Sequence, residues 1–282
     1  MLQDIAEYLV CPHCGADLAL DDGRALRCAA GHSFDVARQG YASLLPGDAH
    51  TGTGDTAAMV AARDAFLSAG HYAPIAGALA QAAADALDGA PAGGCVADLG
   101  AGTGYYLAAV LDRLPGRPGA ALDISKYALR RAARSHPRVG AVVCDAWRPL
   151  PLRDASAALM LNVFAPRGGP EIRRVLRPGG TLLVVSPTGP HLRELVGPLG
   201  LLSVDEDKDR RIAEKLGPHL APGERREVRW TLTLSRSEAA ALVAMGPSAW
   251  HTDPERLAGP LAALPDPVEV TAAVTIAAYQ RL

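Results

Sequence analysis

Four residues near the start of the chain, Cys11, Cys14, Cys28 and His32, have the types and spacing of one metal site. They come as Cys-x2-Cys, thirteen intervening residues, then Cys-x3-His, and three thiolates with one imidazole suit a tetrahedral zinc ion. With all four positions filled by protein, such an ion holds structure and leaves no place for a reacting water. Pro12 fixes φ inside the first pair, and Gly15 and Gly31 supply left-handed turn positions. His13 is the alternative nitrogen, but its place inside the first pair makes it a geometrically poor ligand. The intervening "LALDDGRALR" reads as two short strands around an Asp-Asp-Gly turn, a hairpin that brings the two pairs together.

A second constellation lies in "VADLGAGTGYY", which places Asp98, Gly100, Gly102, Thr103 and Gly104 at a strand-to-helix turn. A dinucleotide-binding fingerprint needs its third glycine three positions after the second, and that position is Tyr105. The pattern is instead Asp-x-Gly-x-Gly-x-Gly, which resembles motif I of the S-adenosylmethionine-dependent methyltransferases. Two more acids end the next strand-like segments, Asp123 in "GAALDIS" and Asp145 in "AVVCD". An acid at the first of these ends suits two ribose hydroxyls, and the resemblance puts a carboxylate at the second near an adenine amino group. Each alone is an ordinary loop residue; three acids at successive strand ends make a site.

The elements that must carry these residues follow from periodicity. The chain of 282 residues is 49% hydrophobic with a formal charge of −2, ample for a core and without the global basic footprint of many nucleic-acid binders. The start "MLQDIAEYLV" lacks a basic leader, and no long apolar run suggests a bilayer span, so a cytoplasmic protein without membrane contact is expected. Five cysteines, three of them in the first 28 positions, fit a reducing compartment and a metal better than disulfides. The segment "PGDAHTGTGDTAA" reads as a connector ending in a helix cap at Asp55 or Thr56. The expected division is residues 1–45 as a zinc ribbon, 46–55 as linker and 56–282 as the large domain. In that domain "MVAARDAFLSAGHY" and "PIAGALAQAAADALDGA" read as helices. The strands "CVADLG", "GAALDIS", "GAVVCD", "AALMLNV", "TLLVVSP", "VRWTLTL" and "VTAAVTIAAYQ" then alternate with helical segments, predicting an α/β, doubly wound, seven-stranded Rossmann-like sheet.

Taken in order, the ribbon, "FDVARQGYASLL", "ARDAFLSAGHYAP", "DLGAGTGYY", "LDISK", "LNVFAPR" and "MGPSAW" resemble the RlmA family of 23S rRNA guanine-N1 methyltransferases over essentially the full chain. The "NVFAPR", "EIRRVLRPGGTLLVV" and "MGPSAWH" wording is similar to the branch from macrolide producers that confers resistance. The resemblance implies S-adenosylmethionine as methyl donor, a structural zinc, and a 23S rRNA hairpin gripped by the ribbon. It also implies that Tyr72, Gly102, Thr103 and His191 contact the donor; from the residues alone, Tyr72 reads as a helix end and His191 as a surface position. Basic contacts are expected from Lys126, Arg130, Arg131, Arg134 and Arg138, and from Arg167, Arg173, Arg174 and Arg177, although a solvated helix face explains the first set equally well.

Guanine N1 carries a proton at neutral pH, so its methylation needs a base or stabilisation of charge developing on O6. The fourth strand ends "LNVFAP", unlike the Asn-Pro-Pro-Tyr type used on exocyclic amines, and has no cysteine for attack on cytosine C5. Asn162 is the catalytic candidate there, and no base is named. The resemblance leaves open which of two neighbouring guanines is modified, and the sequence leaves open a homodimer. A small-molecule methyltransferase with an accessory ribbon is the competing reading.

Overall fold

The computed structural model describes residues 1–49, 54–203, 205, 207–246 and 254–282. Residues 50–53 of the connector and Pro247–His251 of "MGPSAWH" lie outside the described residues.

The N-terminal segment opens with the one-turn helix α1 (Leu2–Ile5), followed by the ribbon strands β1 (Leu18–Asp21), β2 (Ala25–Cys28) and β3 (Ser33–Asp35). The three pair antiparallel in that order, with Asp21 opposite Ala25 across the expected turn. Asp22 and Gly23 both take left-handed φ there, +44° and +71°, the backbone that a tight Asp-Gly turn demands. A short strand β4 (Tyr41–Ser43) follows.

The remaining elements are α2 (Ala57–Ser68), α3 (Ala73–Leu87), β5 (Cys95–Leu99), α4 (Tyr105–Arg113), β6 (Gly119–Asp123), α5 (Lys126–Ala132), β7 (Val139–Val143), β8 (Ala157–Val163), α6 (Gly169–Val175), β9 (Leu176–Pro187), α7 (Arg193–Leu199), α8 (Lys208–Leu216), β10 (Ala221–Leu234), α9 (Arg236–Ala244), α10 (Pro254–Ala263) and β11 (Val268–Gln280). Thr56 is the cap of α2, its hydroxyl accepting the Met59 N–H at 3.3 Å.

Eight strands form one sheet in the order β10-β11-β9-β8-β5-β6-β7-β4. The pairs from β4 through β9 are parallel, while β11 is antiparallel to both β9 and β10. Every residue of β5, β7 and β8 is buried, which explains their near-continuous apolar sequences. The seven strands expected from the sequence are all present. The eighth, β4, lies in the stretch assigned to the ribbon, yet its partner is β7, with Tyr41 opposite Ala141.

The ribbon is tied to the large sheet rather than hung from it. Leu9 bridges Leu152, the Val10 N–H donates to Pro151 O at 3.1 Å, and the Arg153 N–H donates to Tyr8 O at 2.8 Å. Leu2, Ile5 and Leu9 are buried in the same apolar cluster as Ala120, Val142 and Leu150. Chain order reverses between β5 and β8: the chain runs outward through β6 and β7 on one side and through β9 on the other. That reversal opens a crevice at the carboxyl ends of β5 and β8, where α/β sheets of this kind bind ligands.

Candidate active site and metal centre

The ligand atoms of Cys11, Cys14, Cys28 and His32 all lie within 4.8 Å of one another. Cys14 Sγ and Cys28 Sγ are 3.7 Å apart, and His32 Nδ1 is 3.3 Å from Cys28 Sγ and 3.5 Å from Cys11 Sγ. A zinc tetrahedron with Zn–S of ~2.3 Å and Zn–N of ~2.0–2.1 Å has edges of ~3.8 Å between sulfurs and ~3.6 Å between sulfur and nitrogen. These three separations match the edges of such a tetrahedron, and the whole set closes to within 4.8 Å, with Nδ1 the inward-facing nitrogen. Burial pushes the Cys28 thiol up, but hydrogen bonds from the His32 side chain and backbone outweigh it and bring the thiol down to about 6, favouring the thiolate a metal needs. His13 is outside this cluster, and its ring lies over Phe34 with centroids 5.8 Å apart.

At the crevice, Gly100, Gly102 and Gly104 have φ of +77°, +54° and +79°, a region costly for any residue with a Cβ. Their reasons differ. A Cβ on Gly100 would lie 2.4 Å from Ala165 Cβ, and one on Gly104 would lie 2.5 Å from Ser135 Oγ and 3.0 Å from Ala132 Cα. Protein packing alone therefore requires glycine at both, whereas the nearest atom to a Cβ on Gly102 is Arg63 Cδ at 3.6 Å. Only Gly102 keeps its space for a ligand. Thr103, beside it, is buried.

Asp98 is 1% exposed and its Oδ1 has no hydrogen-bond partner. Burial, and then the neighbouring Asp123 charge, raise its carboxyl to about 8. A buried, unpartnered carboxylate beside a glycine turn is suited to a cationic ligand such as the ammonium of a methionine moiety. Asp123 is half-buried, with each oxygen accepting one backbone N–H, and burial raises its carboxyl despite those bonds. One lone pair on each oxygen stays available for a pair of hydroxyls. Asp145 Oδ1 accepts the Trp147 N–H at 2.9 Å, and Asp145 lines a cavity of about 580 Å³ that extends to Cys11 and His13 of the ribbon.

Tyr72 and His191 meet on the opposite wall. Tyr72 caps the start of α3, and His191 is buried rather than on the surface, with Nε2 3.5 Å from Tyr72 Oη. His191 Nδ1 accepts the Ala273 N–H at 3.1 Å, so the neutral ring carries its proton on Nε2, facing the phenol. Burial, and secondarily the Lys208 charge, lower the imidazole to about 4. With no free lone pair on either nitrogen, His191 orients Tyr72 and does not act as a base. Burial also raises the Tyr72 phenol well above its usual value, so it remains a proton donor. Asn162 is fully buried; its amide nitrogen donates to Pro166 O at 2.8 Å and its oxygen accepts from Arg167 Nε at 2.8 Å. These bonds tie Asn162 to the 164–167 loop.

Sequence reasoning assigned no role to Arg63. Its guanidinium pairs with Asp55 at 2.7 Å and donates to Met245 O at 2.8 Å, tying α2 to the end of α9 beside Gly102. A lone arginine in a helix carries no spacing signal that could have marked it. The basic runs are also less uniform than expected. Arg138 donates to Leu111 O, Leu114 O and Arg117 O, and Arg174 is held by Glu171, Asp154, Leu150 O and Leu152 O. Both are internal staples, whereas Lys126 and Arg130 cluster on the half-exposed Tyr127 ring.

Fold and site together define an S-adenosylmethionine-dependent methyltransferase with a zinc ribbon at its N-terminus. A family model described as "RlmA, N-terminal" matches residues 9–51, and a "Methyltransferase domain" model matches 96–180. The 23S rRNA (guanine(748)-N(1))-methyltransferase of Streptomyces fradiae is 53% identical over 275 residues, covering 98% of this chain and 97% of the relative. A Micromonospora griseorubida relative, provisionally named a 23S rRNA (guanine-N(1)-)-methyltransferase, is 56% identical over 294 residues and 99% of each chain. One from Bacillus subtilis, with the same provisional name, is 27% identical over 256 residues and 88% of each. The chain belongs to the RlmA family of 23S rRNA guanine-N1 methyltransferases.

Proposed function

We propose that the chain methylates N1 of a hairpin-loop guanine in 23S rRNA, at the position named for its Streptomyces fradiae relative, 748, and that this modification protects the ribosome from macrolides. The observation that carries the reading is the near full-length likeness to that enzyme, joined here to a Cys/His metal cluster and to a cavity that runs from the ribbon at Cys11 and His13 to Asp145 at the end of β7. The site of action is the cytoplasm, where the rRNA resides; among the described residues no helix is long and apolar enough to cross a membrane.

In this reading Cys11, Cys14, Cys28 and His32 hold the zinc, and residues 1–45 form the RNA-gripping ribbon, apart from β4, which belongs to the large sheet, with 46–55 the linker and 56–282 the methyltransferase domain. Asp98 takes the ammonium end of the donor, Asp123 the ribose hydroxyls and Asp145 the adenine edge. Gly102, Thr103 and Gly104 form the floor, and Tyr72, oriented by His191, supplies a hydrogen-bond donor to the same ligand. Bound S-adenosylmethionine supplies an electrophilic methyl group on a sulfonium. The protein's contribution is alignment: the Asn162–Arg167 loop and the glycine turn fix the two faces of the crevice, and holding reactants in line supplies much of the acceleration. A homodimer would use the outer edge of β10, which pairs with no other strand among the described residues.

Incubation with labelled methyl donor and unmethylated rRNA tests the proposal. Label in the RNA is expected; label only in small molecules would replace it with the small-molecule reading.

A further inference from the structure

At the mouth of the crevice Phe164 is 38% exposed and has φ of +53°. A left-handed aromatic residue is an outlier that its surroundings must impose. Those surroundings are on both sides of it. Its own N–H closes the β8–β9 ladder on Val185 O at 3.1 Å. Beyond it, Asn162 Nδ2 donates to Pro166 O at 2.8 Å and Leu99 O at 3.4 Å, and Arg167 donates to Asn162 Oδ1 at 2.8 Å and Ala165 O at 3.1 Å. Ala165 is pressed against Gly100. A buried polar lock thus holds a strained turn in order to present one ring at the carboxyl edge between β5 and β8. Behind that ring, His191 lies 27° from parallel at 6.2 Å and Tyr72 at 6.4 Å.

We propose that Phe164 is the platform on which the target guanine stacks after leaving its own base stack. The inference rests on the reading of the acceptor as a guanine in folded RNA. A base drawn from its stack loses face-to-face contact, and an aromatic side chain at the reaction site restores it. Geometry adds a requirement particular to this chemistry: once N1 gives up its proton to a base, the electron pair left behind lies in the plane of the ring, so the methyl group must arrive at an edge. A support that grips a face leaves that edge free, and Phe164 is next in the chain to Ala165, whose side chain covers Gly100 of the glycine turn.

The test uses the full-length protein, a transcript of the rRNA hairpin and the variants Phe164→Gly, Phe164→Leu, Phe164→Tyr and Phe164→Trp. Glycine accepts the left-handed backbone, and that relief offsets part of the packing lost with the ring, so Phe164→Gly should still fold, which thermal denaturation checks. Its donor affinity should be unchanged and its kcat/KM for RNA should fall about 5- to 150-fold, the range for losing one base–aromatic stack. Phe164→Leu should fall similarly, and the tyrosine and tryptophan variants should return to within a few-fold of the parent. Full activity in Phe164→Leu, or a donor-binding loss that accounts for the whole effect, would overturn the platform. Failure of the parent itself to methylate the hairpin would instead overturn the substrate reading and the platform with it.

Discussion

The carboxylate of Asp123, at the end of β6, accepts the Gly102 N–H at 2.8 Å through Oδ2 while its Oδ1 accepts the Ser125 N–H at the same distance. One acid thereby fixes the open glycine of the motif and the start of α5, with a lone pair left on each oxygen. Asp123→Ala should weaken donor binding by about 1 to 3 kcal/mol, the range for a lost hydrogen bond to a charged group. Calorimetric titration with the donor checks this, and unchanged affinity would remove Asp123 from the site.

The three motif glycines should separate by cause. Gly100→Ala meets Ala165 at 2.4 Å with φ at +77°, so it should lower stability by about 1 to 3 kcal/mol, as overpacking does. Gly102→Ala meets nothing closer than 3.6 Å; it should cost about 1 kcal/mol from backbone strain alone while reducing donor affinity sharply. Thermal denaturation beside donor titration distinguishes them, and equal effects from both variants would refute the distinction.

Asp98 predicts a pH signature. Its carboxyl sits at about 8 when folded and about 4 when unfolded, so between those values the folded protein binds the extra proton and stability falls as pH rises. Asp98→Asn has no such proton, so its melting temperature should rise relative to the parent as pH goes from 5 to 8. Donor binding at pH 7 should release close to one proton in the parent, as the ammonium stabilises the carboxylate, and none in the variant. Calorimetry in two buffers of different ionisation enthalpy measures this; no proton release would exclude contact between Asp98 and the donor's cation.

Chelating the zinc, or Cys28→Ser, should unfold the ribbon, because binding energy at such a site is folding energy. RNA methylation should be lost while donor affinity is largely retained, since Asp98, Gly102 and Asp123 lie on β5, β6 and the turn between β5 and α4. Hydrogen exchange over residues 1–40 together with the methylation assay reads both effects. Full activity in Cys28→Ser would contradict the structural role.

Much of this was legible because it depends on local pattern. Buried parallel strands must be apolar runs, so β5, β6, β7 and β8 announce themselves, and metal ligands must be spaced to meet. What escaped depends on partners distant in sequence. β4 is three residues long, and its identity comes from pairing with β7 some hundred positions later. β10 begins at Ala221, ahead of the "VRWTLTL" run, because a register shift between Pro222 and Arg225 accommodates residues that ordinarily end a strand. His191 reads as a surface position until Tyr72 and Ala273 enclose it. Asn162 reads as a reacting group from its place at a strand end, and only the fold shows both ends of its amide engaged.

The central claim is tested most directly by mapping the modified nucleotide. A methyl group on guanine N1 removes a Watson–Crick donor and halts reverse transcription, so primer extension on treated 23S rRNA should show one new stop, at guanine 748. A stop at the neighbouring guanine would move the specificity, and methylated RNA with no stop in that hairpin would contradict the account.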